Sequence, residues 1–228
     1  MGEYVCKFGG SSLADEMQIS KVIEIIEASG SRRFVVPSAP GKRDSDDTKI
    51  TDLLYLCHEL ARQHVDISEP FGHIEKRFLG ISVALDVDLD MAALLNQLRA
   101  DIEHGASVDF VASRGEYLCG RILAGALGAT FVEAAEVIRF SSGGVLAPET
   151  YGLIADKLSG EGRYVIPGFY GSSSDGEVKT FSRGGSDITG AIVAKAVSAS
   201  IYENWTDVSG MLMADPRIVP DARPVHEI

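Results

Sequence analysis

The sequence predicts an α/β fold, a three-layer sandwich with helices on both faces of a largely parallel central sheet. Three observations point there. Short apolar runs alternate with stretches whose apolar residues recur at helical spacing. Two separate strand ends run into a glycine pair that opens a helix, Phe8-Gly9-Gly10-Ser11 and Phe181-Ser182-Arg183-Gly184-Gly185-Ser186-Asp187. The chain of 228 residues, 45% hydrophobic and 24% charged, is also large enough to bury a sizeable core and is most simply one domain over 1–228.

The elements follow in order. Tyr4–Phe8 and Arg33–Pro37 read as strands, and between them Ile19, Val22, Ile23 and Ile26 mark an amphipathic helix from about Asp15. The charged segment Gly41–Asp47 reads as a mobile surface loop before a helix that opens near Thr51 with Leu53, Leu54, Leu56, Cys57, Leu60 and Ala61. Helical patterns from about Pro70 to Ala84 and from about Asp88 to His104 would then form a lid or an edge layer. Val108–Ala112 reads as a strand that passes through Ser113-Arg114-Gly115-Glu116 into a helix with Leu118, Ile122, Leu123 and Ala126. Thr130–Glu133 is the next strand, Tyr151–Leu158 a helix, and Tyr164–Pro167 a strand. Ser172–Gly176 has hairpin chemistry before a strand near Val178–Phe181. Asp187–Ala196 is helical, and Ser200–Trp205 is a strand that ends at Thr206-Asp207.

Composition excludes several classes. A formal net charge of −12, from 33 acidic against 21 basic residues, argues against a general nucleic-acid or anionic-membrane surface. No apolar run approaches membrane length, and Glu3 and Lys7 interrupt any signal-peptide pattern, so a cytoplasmic protein is expected. Cys6, Cys57 and Cys119 form no C-x-x-C and read as buried thiols. The five histidines form no H-E-x-x-H, and no metal-ligating residues are assigned.

The first glycine turn matches neither G-x-x-x-x-G-K-[ST] nor G-x-G-x-x-G, and the missing second pattern disfavours a nicotinamide-dependent oxidoreductase. Backbone amides at a helix start, with Lys7 beside them, suit a phosphate; a tight βα turn with Lys7 in water reads equally well at this point. In the second turn, Arg183 has the planar fork that grips a carboxylate, while Glu116 and Asp187 could hold an ammonium. One cation with two carboxylates suits a zwitterionic amino acid. Gly9-Gly10, Ser38, Glu116, Arg183–Gly185 and Asp207 would all lie beyond the carboxyl ends of strands, where such folds bind ligands.

The ordered series Lys7–Ser12, Ser38–Arg43, Thr51–Leu54, Ser113–Glu116, Gly168–Gly171, Arg183–Asp187, and Trp205–Val208 through Ala214–Arg217 resembles the motifs of aspartokinases, within the amino-acid-kinase superfamily. The resemblance implies an amino-acid-kinase-like fold and ATP-dependent phosphorylation of the β-carboxylate of L-aspartate with Mg²⁺. That reaction opens lysine, threonine and methionine biosynthesis. Carried over residue by residue, it makes Lys7 and the Gly9 and Gly10 amides holders of the transferring phosphoryl group, with Ser11 beside it. Ser38, Thr51, Glu116, Arg183 and Ser186 become substrate-side residues, Arg183 on the α-carboxylate and Glu116 on the α-ammonium. Asp187 would orient either the substrate or Lys7, and Thr206, Asp207, Asp215 and Arg217 would line the nucleotide side. It also implies a homo-oligomer. The series stops at Ile228, short of the family's later nucleotide-side lysine and regulatory domains, so the C-terminal part of the fold is expected to be missing. The alternatives are a kinase of glutamate or of an acylated amino acid, and a catalytically weak nucleotide- or amino-acid-binding module.

Overall fold

The computed structural model describes residues 2–182, 184–206, 210, 213–214, 218–223 and 225. Strand β1 (Tyr4–Phe8) leads through a short 3-10 turn (Gly10–Leu13) into helix α1 (Glu16–Glu27), and β2 (Arg32–Pro37) follows. Asp15 caps α1 by accepting from the Gln18 amide, which satisfies one of the unpaired donors of a first helical turn. Four helices come next: α2 (Ile50–Arg62), α3 (Ser68–Ala84), α4 (Met91–Glu103) and α5 (Val108–Leu127). The second half contains β3 (Thr130–Phe131), α6 (Ala134–Val137), α7 (Glu149–Lys157), β4 (Tyr164–Val165), the strands β5 (Tyr170–Ser172) and β6 (Val178–Thr180), α8 (Gly185–Ala196) and β7 (Ile201–Trp205).

The central sheet has the order β3-β4-β2-β1-β7 and every pairing in it is parallel. Period-two alternation splits its side chains between two cores. Cys6, Phe8, Val35 and Val165 pack on one face with apolar residues of α1 to α5, while Val5, Phe34, Val36 and Tyr164 pack on the other with residues of α6 to α8. A buried strand must be apolar on both faces, which is why β1 and β2 are near-continuous hydrophobic runs. β5 and β6 form a separate antiparallel hairpin, as the turn chemistry of Ser172–Gly176 predicts.

Four expectations need correction. Val108–Ala112 is not a strand but the first turns of α5. Ser107 caps the helix by accepting from the Phe110 amide, and Gly128 closes it at φ 57°. Its inward face of Val111, Leu118, Cys119 and Ile122 is buried, so packing overrides the local β-like run. Glu116 therefore lies in the middle of a helix and not at a strand end. Helices α3 and α4 are no lid or edge layer, because Phe71, Ile74, Phe78, Leu95 and Leu98 join the main core. The Gly41–Asp47 loop is anchored rather than loose: Asp47 is gripped by both Arg43 and the buried Arg77, and these cations hold its carboxyl below its ordinary range. All three cysteines are buried free thiols, as expected.

Candidate active site

The site is assembled where β1 and β2 end side by side. The Ser38 amide donates to the Phe8 carbonyl oxygen at 3.1 Å, and the Gly41 amide to the Gly10 carbonyl oxygen at 2.8 Å. The two loops touch so closely that a Cβ on Gly10 would stand 2.9 Å from the Ala39 oxygen, and one on Gly41 would stand 2.7 Å from the Gly10 carbonyl carbon. Helix α5 comes in equally close, since a Cβ on Gly115 would meet the Ala39 side chain at 2.8 Å. Backbone meets backbone at Gly10 and Gly41, and at Gly115 the helix meets the Ala39 side chain, so none of the three has room for a Cβ. They are what lets residue 116, the next on α5, reach the cavity between the loops.

That cavity has a volume of about 460 Å³ and its walls include Gly10, Ser11, Ser38, Thr51 and Glu116, with Lys42 and Lys49 beside them. The structure thus brings together five of the residues singled out from sequence. Glu116 is 5% exposed and its Oε2 has no hydrogen-bond partner. Burial pushes its carboxyl from the ordinary 4.5 up to about 8, opposed by the Ala39 backbone amide and the Arg114 charge. An unpaired buried carboxyl is costly, so a ligand cation that reaches it would be strongly rewarded. A larger cavity of about 640 Å³ lies between α2, α3 and the Arg43–Thr48 loop. It borders neither glycine turn and has no such orphaned group, so the smaller one is the better candidate.

A second cluster stands across the Gly9 turn. Lys7, on β1 and 7% exposed, makes an ion pair of 2.7 Å with Asp187 on the first turn of α8. Asn204 donates to the same Asp187 oxygen at 3.1 Å, and the Tyr202 hydroxyl to its backbone carbonyl at 3.1 Å. The start of α8 is seated by further close approaches: Gly184 adopts φ 58°, and a Cβ on Gly168 would collide with the buried Ser186 at 2.6 Å. Phe169 takes the left-handed φ of 79°, rare for a bulky residue, and its amide is held by the buried Thr189 hydroxyl. Lys7, Asp187 and Ser186 do not line the 460 Å³ cavity. The Gly9-Gly10 turn joins the two parts.

The Gly9 amide is not available to a phosphate as the motif suggested, because it donates to the Trp205 carbonyl oxygen at 3.1 Å. Instead, the amides of Gly10 and Ser11 occupy the first 3-10 turn, where the turn itself supplies no acceptor. Trp205 is fixed in turn by Glu203, which accepts from its indole Nε1 at 2.9 Å and from Arg32 at 2.8 and 3.1 Å. Its ring stacks on Phe8 with centroids 6.0 Å apart. Asn204 and Arg77 escaped sequence reasoning, and Trp205 entered it only as part of the Trp205–Val208 motif with no role of its own; the position of Asn204 at a strand end next to that motif could have flagged it. Thr206 directly follows β7 and is exposed. Arg183, Asp207, Asp215 and Arg217 lie outside the described residues.

Comparison with known proteins agrees with this fold. The crystal structure of Clostridium acetobutylicum aspartate kinase superposes with a TM-score of 0.93 at 51% identity, covering 98% of this chain and 52% of that one. The structure of E. coli aspartokinase III in complex with aspartate and ADP gives a TM-score of 0.81 at 27% identity, over 98% of this chain and 53% of that one. Aspartokinase 3 of Bacillus subtilis (strain 168) is 34% identical over 242 residues, which cover 98% of this chain and 53% of that protein. The chain thus spans about half the length of the relatives it matches. The family model described as "Amino acid kinase family" matches residues 3–228, and with this fold and these two glycine turns the chain belongs to that family.

Proposed function

We propose that this chain is the catalytic domain of an aspartate kinase, which transfers the γ-phosphoryl group of ATP to the β-carboxylate of L-aspartate and releases ADP and 4-phospho-L-aspartate. The observation that carries the proposal is Glu116, a buried carboxyl with an unpartnered oxygen in the wall of a cavity that also contains the Gly10–Ser11 turn. A free α-ammonium is the group that such a carboxylate would take. The names of the three relatives reported above, all aspartate kinases, and the aspartate and ADP bound in one of them support the same substrates.

The chemistry needs no general base, because a carboxylate is already a nucleophile at neutral pH. The obstacle is bringing that anion up to a polyanionic triphosphate. Lys7 and the Gly10 and Ser11 amides would neutralise and hold the transferring phosphoryl group, as preorganised donors to its equatorial oxygens. Glu116 would take the α-ammonium, Arg183 the α-carboxylate, and Ser38, Thr51 and Ser186 would complete the acceptor side. Asp187 would hold Lys7 in place, and Thr206, Asp207, Asp215 and Arg217 would line the nucleotide side. Mg²⁺ needs only one or two protein carboxylates beside substrate phosphates, and Asp187, half exposed next to Lys7, is a donor of the right kind. When bound, the ion supplies charge neutralisation. A homo-oligomer working in the cytoplasm, at the head of lysine, threonine and methionine synthesis, follows from the family resemblance alone and is proposed with it.

A hydroxamate assay across aspartate, glutamate and N-acetylglutamate tests the proposal. Aspartate is expected to give the highest turnover, with coupled ADP release; faster turnover of glutamate or N-acetylglutamate would overturn it.

A further inference from the structure

Arg77 stands on α3, a helix that carries none of the residues assigned above. Its side chain is only 5% exposed, and its guanidinium serves three partners on two segments. Nη1 donates to the carbonyl oxygens of Ala14 at 2.9 Å and Gly41 at 3.0 Å, while Nη2 pairs with Asp47 Oδ2 at 2.5 Å. Ala14 ends the 3-10 turn that starts at Gly10. Gly41 is the residue whose amide grips Gly10 from the opposing loop. One planar group therefore braces, from behind, both loops that face each other across the cavity.

Burying a guanidinium is expensive. Burial lowers the pKa of Arg77 and the neighbouring Arg43 charge acts in the same direction, with Asp47 opposing both. An apolar side chain of similar volume would fill the space at less cost, so packing alone gives no reason for an arginine here. A rigid fork that holds two carbonyls and a carboxylate at fixed angles does give one, and a lysine cannot reproduce it.

We infer that Arg77 is a positioning residue for phosphoryl transfer: it sets the separation of the Gly10–Ser11 turn from the Ser38–Lys42 loop, and so the alignment of acceptor carboxylate and γ-phosphoryl group. The inference rests on the aspartate kinase proposal. Glu116 sits on α5, and the hydrogen bonds of Arg77 go to Ala14, Gly41 and Asp47, so the expected effect falls more on substrate alignment than on substrate capture. A misplacement of about 1 Å costs on the order of 100-fold in rate.

The test uses R77K in the full chain, with D47N as a milder variant should R77K fold poorly, and I74V as a control that loosens the same helix without touching the loops. R77K is expected to lower kcat by about 10- to 100-fold while the aspartate KM stays within about threefold, with D47N intermediate and I74V unchanged in kcat. Hydrogen exchange at the Gly41 amide is expected to quicken in R77K while the amides of β2 keep their protection. A kcat within about twofold of wild type, or a loss that I74V reproduces at matched melting temperature, overturns the inference. A wild-type chain with no aspartate-dependent ADP release sinks the functional proposal instead; exchange at Gly41 then still decides, and unchanged protection in R77K refutes the brace.

Discussion

Under the proposed function, aspartate should bind with release of a proton from Glu116. Its carboxyl is pushed up to about 8, so at pH 7 most molecules hold the neutral acid. An ammonium favours the ionised form, so binding at that pH is expected to expel close to one proton per aspartate. Because only the ionised minority is competent, apparent affinity at pH 7 is weakened on the order of tenfold from its high-pH limit. Affinity therefore rises with pH, about tenfold per unit below 8, and levels off above it. The stability of the unliganded chain runs the opposite way. The folded carboxyl holds its proton more tightly than the unfolded one at 4.5, so its contribution is complete below that value and is lost as the pH rises through 8. Calorimetric titration with aspartate at pH 7 in two buffers of different ionisation enthalpy counts the protons directly. Release near zero, or release undiminished in E116Q, would refute the reasoning.

Three further outcomes are expected. K7A should cut turnover by about 100-fold or more with much less effect on aspartate binding, because the lysine serves the phosphoryl half; unchanged activity removes that role. R183K should raise the aspartate KM through loss of the bidentate fork, and an unchanged KM would make Arg183 a helix-end residue only. G41A must push the Gly10 carbonyl away, at a cost of about 1–3 kcal/mol, which thermal melting reads as a lowered midpoint; an unaltered midpoint would mean that the loops are not in such close contact.

Much of this was legible in the sequence where chemistry and periodicity coincide. Ile19, Val22 and Ile26 place α1, and the unbroken apolar runs of β1 and β2 announce strands covered on both faces. The two glycine turns and the hairpin were equally plain. Failure came where long-range packing decides. The β-branched start of α5 looks extended until its buried face is counted, and the neutrality of Glu116 depends on burial by loops far away in sequence. Arg77 acts on partners 63 and 36 residues distant, a relation that no local pattern records. The Gly9 amide looked free because its acceptor, Trp205, lies on the strand that pairs with β1 from the far end of the chain.

The Lys7–Asp187 pair has a bearing on the whole reaction cycle. A lysine already partnered at 2.7 Å is not a bare cation; under the proposed function an arriving nucleotide would share its ammonium with Asp187 or take it over. Asp187 can give way easily, since half of it already meets water, and it can reclaim the ammonium as easily once ADP departs. Under that proposal, tight grip on the nucleotide would be traded for ready reversal, the same carboxylate that competes with entering ATP favouring the exit of product.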